Sequence, residues 1–571
     1  MCGIIGYTGN KEAYDHVKKG LSRLEYRGYD SAGIATSSEQ DIHLEKVEGS
    51  IEKLSEKERF SGKTGIGHTR WATHGEATRY NAHPHTDCTG RIAIVHNGII
   101  ENYEEINQKL DRHSFKSETD SETVAHFLEE KLESGNNIRE AIEKFQKIAE
   151  GTYAIAVLQK GEEKIVAAKN RSPLAVGLGE GENFIGSDIY AFSEHTDRAV
   201  FMEDGEIAEI GPEDVRFFRN GEKIEKTPEK FEWTQKAGRK KDFEHYMIKE
   251  IEEQPEAVKR LSKSLGNHQS HKIEELESYI KNSESIVFTA AGTSYHSSMI
   301  GASILRQLGY DARAMIASEF QEEILDEDTL VVAVSQSGET MDVIETLDTA
   351  REKGCSIASV VNVPYSTIQR MSDIDIEIMA GQEICVASTK SFTNQVLTLM
   401  HIGEKLGLEA DIDRVSDILS ETIEKNQEKI ENIAEELEGK KDIFVLGRGS
   451  MYPLAREIAL KLKEISYIHA EGMMGGELKH GTLALIEEGT PVISLIPEEN
   501  SEIINNVDEV SSRGARSIEI SPFRGNFETS RGWPFMIQAA TIGFLLSYHI
   551  ARNRGLPIDK PRNLAKSVTV K

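Results

Sequence analysis

The second half of the sequence repeats one pattern: a buried-type strand, a glycine-containing turn and a helix. The segments SIVFTAAGTSYHSSMIGASILRQLG, TLVVAVSQSGETMDVIETLDTAREKG and DIFVLGRGSMYPLAREIALKLKEIS all have it. Such a duplication predicts two doubly wound parallel α/β sheets, bridged by a helical stretch near 411–438. The strands of the two copies match at Ile286 and Ile443, at Val331 and Val492, and at Ser356 and Ser517.

The first part of the chain has a different organisation. Apolar strand candidates separated by turn glycines include CGIIGY, RIAIVHNGII, TYAIAVLQ, KIVAAK and GEIAEI. Two helical patterns, DSETVAHFLEEKLESG and IREAIEKFQKIAEG, interrupt them. Strands, then helices, then strands again predict an α+β sandwich.

A polar and basic segment without periodicity, WTQKAGRKKDFEH, separates the two parts, and we interpret it as a linker. The sequence predicts five regions: a sandwich domain at 1–232, a linker at 233–245, a first α/β subdomain at 246–410, a second at 411–555, and a C-terminal tail at 556–571.

Composition excludes several functional classes. Sixty-seven Lys and Arg against 96 Asp and Glu give a net charge of −29, which argues against a nucleic-acid partner. No apolar run approaches the roughly 20 residues that a membrane span needs, and the N-terminus does not resemble a signal peptide. We therefore expect neither nucleic acid nor membrane as a partner.

The four cysteines are scattered, with no Cys-x-x-Cys pair. This spacing predicts neither a disulfide framework nor a zinc site, so we expect no metal and a reducing, cytoplasmic environment. The four are Cys2, Cys88, Cys355 and Cys385.

The chain begins MCGIIGY. If Met1 is removed, Cys2 carries both its side-chain thiol and a free α-amine. An N-terminal nucleophile of this kind carries its own general base. The alternative is that a cysteine stands at this position by accident.

Polar clusters accompany the apolar strands of the first domain: RWATHG, HNGIIEN and TDSETVAH. Arg70 is suited to pairing with a carboxylate, and Asp120 to holding an ammonium group. Asn97 and the Gly98 N–H are suited to an oxyanion hole. A helix N-cap explains Asp120 equally well.

The segment SQSGET follows a buried-type strand and precedes a helix. Backbone N–H groups and hydroxyls at such a helix start can cradle a phosphate, although a serine-rich turn with an N-cap looks the same. AGTS ends the preceding strand similarly. Ligands bind at the carboxyl ends of adjacent parallel strands, which favours phosphate binding here.

Three further features carry candidate chemistry. Glu457, Lys461 and Glu464 share one helix face, where a solvated ion pair is the alternative. His480, between two glycines, can titrate near neutrality or be an ordinary loop histidine. The apolar tail NLAKSVTVK is expected to dock, which would desolvate Lys566 as a Schiff-base lysine requires; a surface lysine is the alternative.

Taken together, these motifs resemble the glutamine–fructose-6-phosphate aminotransferase (isomerising) family. The likeness is carried by MCGIIGY, RLEYRGYDSAG, RWATHG, HNGIIEN, TDSETVAH, SQSGET, ASTKSFTNQ, KLKEISYIHAE, GELKHG and PRNLAKSVTV, in this order. It implies an N-terminal-nucleophile glutaminase domain, an αββα sandwich, followed by two sugar-isomerase (SIS) subdomains. The implied reaction is the first step of hexosamine synthesis.

The resemblance also implies roles for individual residues. Cys2 attacks the side-chain amide of glutamine, Asn97 and Gly98 stabilise the oxyanion, and Trp71 gates a channel for ammonia. Glu464 moves a proton between C1 and C2 of the sugar, assisted by Lys461 and Glu457. His480 opens the sugar ring, and Lys566 forms the Schiff base. The implied glutamine ligands are Arg70, Thr73, His74 and Asp120. The implied sugar-phosphate ligands are Thr293, Ser294, Ser335, Gln336, Ser337, Thr340, Val386 and Ser388.

The resemblance further implies no metal or organic cofactor, and a homodimer in which His480 reaches the partner's site. Two rival functions remain. An amidotransferase acting on another acceptor would require a different second half. A sugar-phosphate-binding regulator would be expected to have lost Cys2, Glu464 or Lys566, and all three are present.

Overall fold

The computed structural model describes residues 2–55, 60–71, 75–110, 112–231, 240, 243–410, 412 and 414–567. The chain divides into two compact units, Met1–Ala237 with Ala565–Lys571, and Gly238–Leu564.

Strands dominate the first unit. Its helices are α1 (Ala13–Leu24), α2 (Tyr103–Asn107), α3 (Asp120–Glu133) and α4 (Ile138–Gln146). Its strands are β1 (Gly3–Gly9), β2 (Ser31–Ser37), β3 (Ile42–Glu48), β4 (Thr64–Arg70), β5 (His85–Thr86), β6 (Ile92–Ile100), β7 (Gly151–Gln159), β8 (Ile165–Asn170), β9 (Ala175–Leu178), β10 (Glu182–Gly186), β11 (Arg198–Phe201), β12 (Glu206–Ile210), β13 (Val215–Arg219), β14 (Glu222–Ile224) and β15 (Glu229–Lys230).

These strands form two stacked antiparallel sheets, in the orders β15-β11-β9-β10-β1-β4-β2-β3 and β14-β13-β12-β8-β7-β6-β5. Helix α1 covers the first sheet, and α3 and α4 cover the second. Alternation along β6 explains the layering: Ile92 and Ile94 pack towards the helices, whereas Ala93 and Val95 pack between the sheets. The predicted αββα sandwich is confirmed.

The second unit alternates helices and strands. Its helices are α5 (Tyr246–Glu252), α6 (Gln254–Gly266), α7 (Ser270–Asn282), α8 (Gly292–Gln307), α9 (Met341–Glu352), α10 (Thr367–Met371), α11 (Lys390–Lys405), α12 (Val415–Leu437), α13 (Met451–Lys461), α14 (Ile503–Ser511) and α15 (Pro534–Asn553). Its strands are β16 (Ser285–Ala290), β17 (Ala312–Ile316), β18 (Thr329–Ser335), β19 (Ser356–Val361), β20 (Ile374–Glu377), β21 (Asp442–Gly447), β22 (His469–Met474), β23 (Pro491–Leu495) and β24 (Arg516–Ile520).

The internal duplication predicted from the sequence is confirmed by the two parallel sheets. Their orders are β17-β16-β18-β19-β20 and β22-β21-β23-β24. Strands β16, β18 and β19 occupy the positions that β21, β23 and β24 occupy in the other copy. The turns that follow β16 and β18 therefore lie side by side at the edge of the first sheet where its strands end, and the turns that follow β21 and β23 do the same in the second sheet.

Helix α15 corrects one expectation from the sequence. It is 20 residues long and apolar enough, by length and composition, to cross a membrane. In this structure 94% of the apolar stretch of the helix is buried, as in the core helix of a globular unit. It packs against α12 and α13, so its apolar character is explained by the core of the second unit.

Candidate active sites

Cys2 lies at the start of β1, beside the end of the neighbouring strand β4. The thiol accepts the backbone N–H of Trp71 at 3.4 Å and lies 3.6 Å from the Trp71 carbonyl oxygen. The side chain of Trp71 packs edge-to-face on Tyr29, with 5.5 Å between ring centroids. The antiparallel pairing of β1 with β4 thus places the thiol next to Trp71.

Asn97 lies on β6 in the facing sheet, and its side-chain amide donates to the Cys2 carbonyl oxygen at 3.1 Å. His68 Nε2 lies 3.1 Å from the Asn97 side-chain oxygen and 3.0 Å from the His96 carbonyl oxygen. Because both neighbours are acceptors, Nε2 carries the proton. Burial lowers the pKa of His68 to about 3, so the ring is neutral. His68 therefore directs the Asn97 N–H₂ group towards Cys2.

Gly98 has a backbone conformation that requires glycine. Its φ is +123°, and a Cβ atom here would lie 2.0 Å from the Thr152 carbonyl oxygen on β7. Only glycine allows β6 to keep this conformation beside Asn97.

Arg70 and Asp120 are both buried near Cys2. Burial lowers the pKa of Arg70, and the negative charges of Cys2, Asp30 and Asp120 partly offset this by raising it. The Asp120 carboxylate accepts the Ile100 N–H at 2.8 Å. Asp120 is the first residue of α3 and not its cap, which is Thr119, so the N-cap explanation is wrong. The other two predicted glutamine ligands, Thr73 and His74, lie outside the described residues.

In the second unit, the AGTS and SQSGET segments follow the adjacent parallel strands β16 and β18. Thr293 and Ser294 lie in the first turn of α8, and Ser335 ends β18. The Ser335 hydroxyl accepts the Gly338 N–H at 3.0 Å and lies 3.4 Å from the Thr340 hydroxyl. Four predicted sugar-phosphate ligands, Thr293, Ser294, Ser335 and Thr340, thus lie at one edge of the sheet.

The loop after β18 is tightly constrained. Gly338 has a φ of +65°, and a Cβ atom there would lie 1.9 Å from the Ser366 hydroxyl. The Ser337 hydroxyl accepts the Glu339 N–H at 3.2 Å, and the Glu339 carboxylate accepts the Thr367 N–H at 2.8 Å. Gln336 and Ser337 are half-exposed on this loop.

Glu457 and Lys461 form a fully buried pair on α13. Their charged atoms lie 3.4 Å apart, and Lys461 also contacts Glu464 and donates to the Thr293 hydroxyl at 3.1 Å. Thr293 donates in turn to Glu457 at 3.1 Å. The network joins the helix of the second copy to the AGTS turn of the first. Since both charges are inaccessible to solvent, the solvated-pair alternative is wrong.

The charges of this pair stabilise each other. Burial raises the pKa of Glu457, but Lys461 and the hydrogen bonds from His296, at 2.7 Å, and Thr293 hold it below the ordinary value. Burial lowers the pKa of Lys461, but Glu457 and Glu464 raise it above the ordinary value. Both groups are therefore ionised at neutral pH.

Glu464 lies in a π-helical turn, Leu462–Ser466, that continues α13. The turn ends at Tyr467, whose φ of +56° is left-handed. A π-turn shifts the side chains that follow it around the helix axis. The Glu464 side chain is 18% exposed, whereas Glu457 and Lys461 are fully buried, so Glu464 is the acid of this network that solvent or a ligand can reach.

Val386 and Ser388 lie on an irregular segment that a buried carboxylate shapes. Glu383 accepts the backbone N–H groups of Thr389, at 2.9 Å, and Ser391, at 3.1 Å. The Val386 N–H donates to the Asp559 carbonyl oxygen at 3.1 Å. The chain at Asp559 thus lies beside the proposed sugar-facing wall.

The structure does not bring His480 to this network. His480 is exposed at the end of a short helical turn, Gly475–His480, and no hydrogen bond joins it to another described residue. Lys566 is half-buried and belongs to the first compact unit. The roles of both residues stay predictions.

Three residues that position these sites were not predicted from the sequence: His68, His296 and Glu383. His68 had a local signal, because it lies two residues before Arg70 on β4 and therefore on the same face. His296 lies within the turn and helix that begin at AGTS. Glu383 had no signal, because it accepts mainly backbone N–H groups at the start of α11, from Thr389 and Ser391, and these carry no residue-type pattern.

Substituting Lys461 with methionine is expected to lower the apparent free energy of unfolding by about 3–5 kcal/mol, because it leaves Glu457 as an uncompensated buried charge. Urea unfolding measures the change. Lys463→Met, an exposed lysine in the same turn, is the control and should change little. The pKa of Glu457 is lower in the folded protein than the ordinary value of a glutamate. The ionised Glu457 therefore stabilises the fold at pH values above that ordinary pKa, and this stabilisation is lost as pH falls through the pKa of the folded state. Equal destabilisation by both substitutions would contradict the network.

Two family models match the chain. A glutamine amidotransferase domain matches residues 68–194, and a SIS domain matches residues 279–403 and 436–526. A solved glucosamine-6-phosphate deaminase from Thermotoga maritima covers 57% of this chain and 100% of its own at 24% identity and a TM-score of 0.50, a likeness of fold alone. The sandwich and the paired sheets therefore define a glutamine amidotransferase joined to SIS domains.

Relatives along the whole chain define the family. The chain is 42% identical to a glutamine–fructose-6-phosphate aminotransferase (isomerising) of Thermococcus kodakarensis and 40% identical to one of Halobacterium salinarum, with 100% of both chains covered in each case. The chain belongs to the glutamine–fructose-6-phosphate aminotransferase (isomerising) family.

Proposed function

We propose that the chain converts D-fructose 6-phosphate and L-glutamine to D-glucosamine 6-phosphate and L-glutamate, passing ammonia from a glutaminase site to an isomerase site. One observation carries the proposal: a single chain holds both the Cys2–Asn97 arrangement and the Thr293–Glu457–Lys461–Glu464 network. The test is incubation with both substrates and detection of both products. If glutamate forms but amino sugar does not, only the glutaminase half of the proposal is supported.

In the glutaminase half-reaction, we propose that Cys2, exposed as the N-terminal residue, attacks the side-chain amide carbon of glutamine. Its own α-amine, with an ordinary pKa of roughly 7.7–8.0, takes the thiol proton near neutrality. The amide of Asn97 and the N–H of Gly98 stabilise the oxyanion. Ammonia leaves past Trp71, and water releases glutamate from the thioester.

Arg70 and Asp120 are proposed to bind the α-carboxylate and α-ammonium groups of glutamine, together with Thr73 and His74. The support is electrostatic. A buried guanidinium and a buried carboxylate near one thiol match the two opposite charges of a free amino acid.

In the isomerase half-reaction, we propose that the sugar phosphate binds the turns after β16 and β18. His480 opens the ring, Lys566 forms an imine with the C2 carbonyl, and Glu464 moves a proton between C1 and C2. Lys461 and Glu457 position Glu464 and fix its charge. The partial exposure of Glu464, beside two fully buried partners, supports its role as the group that exchanges a proton with substrate.

The tail before Lys566 contacts the residue that follows the π-helical turn. The Arg562 N–H donates to the Tyr467 hydroxyl at 2.8 Å, directly after the turn that carries Glu464. We also propose a cytoplasmic homodimer in which His480 serves the partner's site.

One sugar phosphate is expected to bind per chain, because the second copy lacks a comparable turn. Strand β23 is followed by Pro497, which has no N–H, and by the exposed Glu498 and Glu499, whose carboxylates repel a dianion. Titration calorimetry with fructose 6-phosphate should give one equivalent. Replacing both Ser337 and Thr340 with alanine should weaken binding at least about tenfold, at roughly 1.4 kcal/mol per decade of affinity.

The matched control for that double variant changes the corresponding turn of the second copy, Glu499→Gln with Ser501→Ala, and should leave the affinity unchanged. Two equivalents per chain, or a larger effect from the control than from the double variant, would show that the asymmetry between the copies has been misread.

A further inference from the structure

Four side chains with metal-ligating atoms converge in the first unit. Cys88 lies in the turn between β5 and β6, His113 lies in the loop between α2 and α3, and His126 and Glu129 lie one turn apart on α3. Their ligand atoms all lie within 4.8 Å of one another. The cluster is outside the glutaminase and isomerase machinery described above, and it is assembled from separate segments of chain.

The distances within the cluster match those around one metal ion. The Cys88 thiol lies 3.7 Å from His113 Nδ1 and 3.6 Å from His126 Nδ1. A Glu129 carboxylate oxygen lies 2.9 Å from His113 Nδ1 and 3.3 Å from His126 Nδ1. Tetrahedral zinc, with bonds of about 2.3 Å to sulfur and about 2.0–2.1 Å to nitrogen or oxygen, separates its ligands by about 3.3–3.6 Å.

The surroundings orient the ligands as a metal site requires. Nδ1 of His126 faces the cluster, while its Nε2 lies 3.4 Å from a Glu122 carboxylate oxygen. Glu122 is itself held by the N–H groups of Lys116, at 2.9 Å, and Ser117, at 2.6 Å. A carboxylate on the second nitrogen of a histidine fixes its orientation and increases its basicity as a ligand. The Ser114 N–H donates to the Cys88 sulfur at 3.5 Å.

We propose that Cys88, His113, His126 and Glu129 bind one Zn²⁺ ion. A thiolate, two imidazoles and a carboxylate are the donors that tetrahedral zinc takes, whereas magnesium and calcium prefer oxygen alone. Binding removes the proton of the Cys88 thiol and releases it to solvent. The cysteine spacing predicts no zinc site, because no two cysteines are close together in the sequence. The proposed ligands come instead from two loops and a helix.

The position of the cluster assigns the ion a structural role. It ties α3 to the turn that leads into β6, the strand that carries Asn97. At the start of α3, Asp120 accepts the Ile100 N–H and the Ser121 hydroxyl lies 2.8 Å from His96 Nδ1. Zinc would therefore fix the helix at its middle, while these bonds join its start to β6. Loss of the ion is expected to lower the melting temperature of the first unit and to leave sugar-phosphate binding by the second unit unchanged.

Metal analysis of the full chain, purified without chelator, tests the proposal directly. About one zinc per chain is expected, and metal-free chain should take up one equivalent in competition with a chromogenic chelator. Cys88→Ser and His113→Asn, the latter in a half-exposed loop, should each retain less than about a tenth of the metal. Cys355→Ser and His43→Asn, a cysteine and a histidine outside the cluster, should retain all of it. No uptake by the full chain, or full retention in both ligand variants, would overturn the proposal.

Two further readouts separate coordination from a merely structural role of these side chains. Cobalt reconstitution should give the visible and near-ultraviolet bands of a tetrahedral cobalt–thiolate centre, and Cys88→Ser should lose the thiolate band. Glu122→Gln, which keeps the fold of the Lys116–Ser117 turn through its remaining carbonyl oxygen, should weaken zinc binding about 10–100-fold. An octahedral cobalt spectrum, or unchanged zinc affinity in Glu122→Gln, would count against the site.

Discussion

Replacing Cys2 with alanine is expected to abolish glutamine hydrolysis while leaving fructose 6-phosphate binding and phosphosugar isomerisation intact. The thiol is the proposed nucleophile, and the Asn97 amide proposed for the oxyanion hole donates to the carbonyl oxygen of the same residue at 3.1 Å. Removing the nucleophile of such a site costs about 10⁴–10⁶-fold in turnover. Glutamate release measures the first activity, and calorimetry with the sugar phosphate measures the second.

The control is Cys355→Ser, a buried cysteine of the second unit, which should hydrolyse glutamine at the normal rate. A chain that retains Met1 should be as inactive as Cys2→Ala, because the nitrogen of Cys2 is then part of a peptide bond and cannot act as the general base. Undiminished glutaminase activity in either chain would rule out an N-terminal nucleophile.

Replacing Lys566 with arginine is expected to block amino-sugar synthesis below detection while glutamine hydrolysis continues. Arginine preserves the positive charge but does not lose its proton at neutral pH, so it cannot form an imine. Borohydride reduction in the presence of fructose 6-phosphate should attach the sugar covalently to the wild-type chain and leave the variant unmodified. Mass spectrometry of peptides locates the modified lysine.

Lys560→Arg is the matched control, since it lies on the same tail. It should be trapped by borohydride and should synthesise amino sugar normally. Trapping of sugar at a lysine other than 566, or amino-sugar synthesis by Lys566→Arg, would overturn the assignment. The glutaminase assay on the same preparations shows that a negative result is not caused by unfolding of the first unit.

The sequence alone determined the fold class, because the signals that specify it are local. Strands that are buried on one or both faces have characteristic apolar patterns, and parallel sheets require a helix between successive strands. The duplication follows from those patterns, and so does the expectation that AGTS and SQSGET meet at one sheet edge. The structure confirms that both segments follow adjacent strands, β16 and β18.

The tertiary structure alone decided which polar residues act together. Glu457 and Lys461 look like an ordinary exposed pair in the sequence, and only packing of α13 against α8 and α15 buries them completely. His68 is needed to orient Asn97, but the two are on strands of different sheets. Spacing along the chain carries no information about such a pair, because sheet stacking brings together residues that no local pattern connects.

The Cys88 cluster is the clearest case of this difference. Cysteines are recognised as metal ligands in a sequence when they recur at short spacings, and Cys88 has no such neighbour. Its partners come from α3 and the loop before it, and they approach Cys88 because α3 packs over β5 and β6. Periodicity and turn chemistry determined the layers of this protein. Contacts between the layers, which depend on the complete packed chain, determined which side chains share a site.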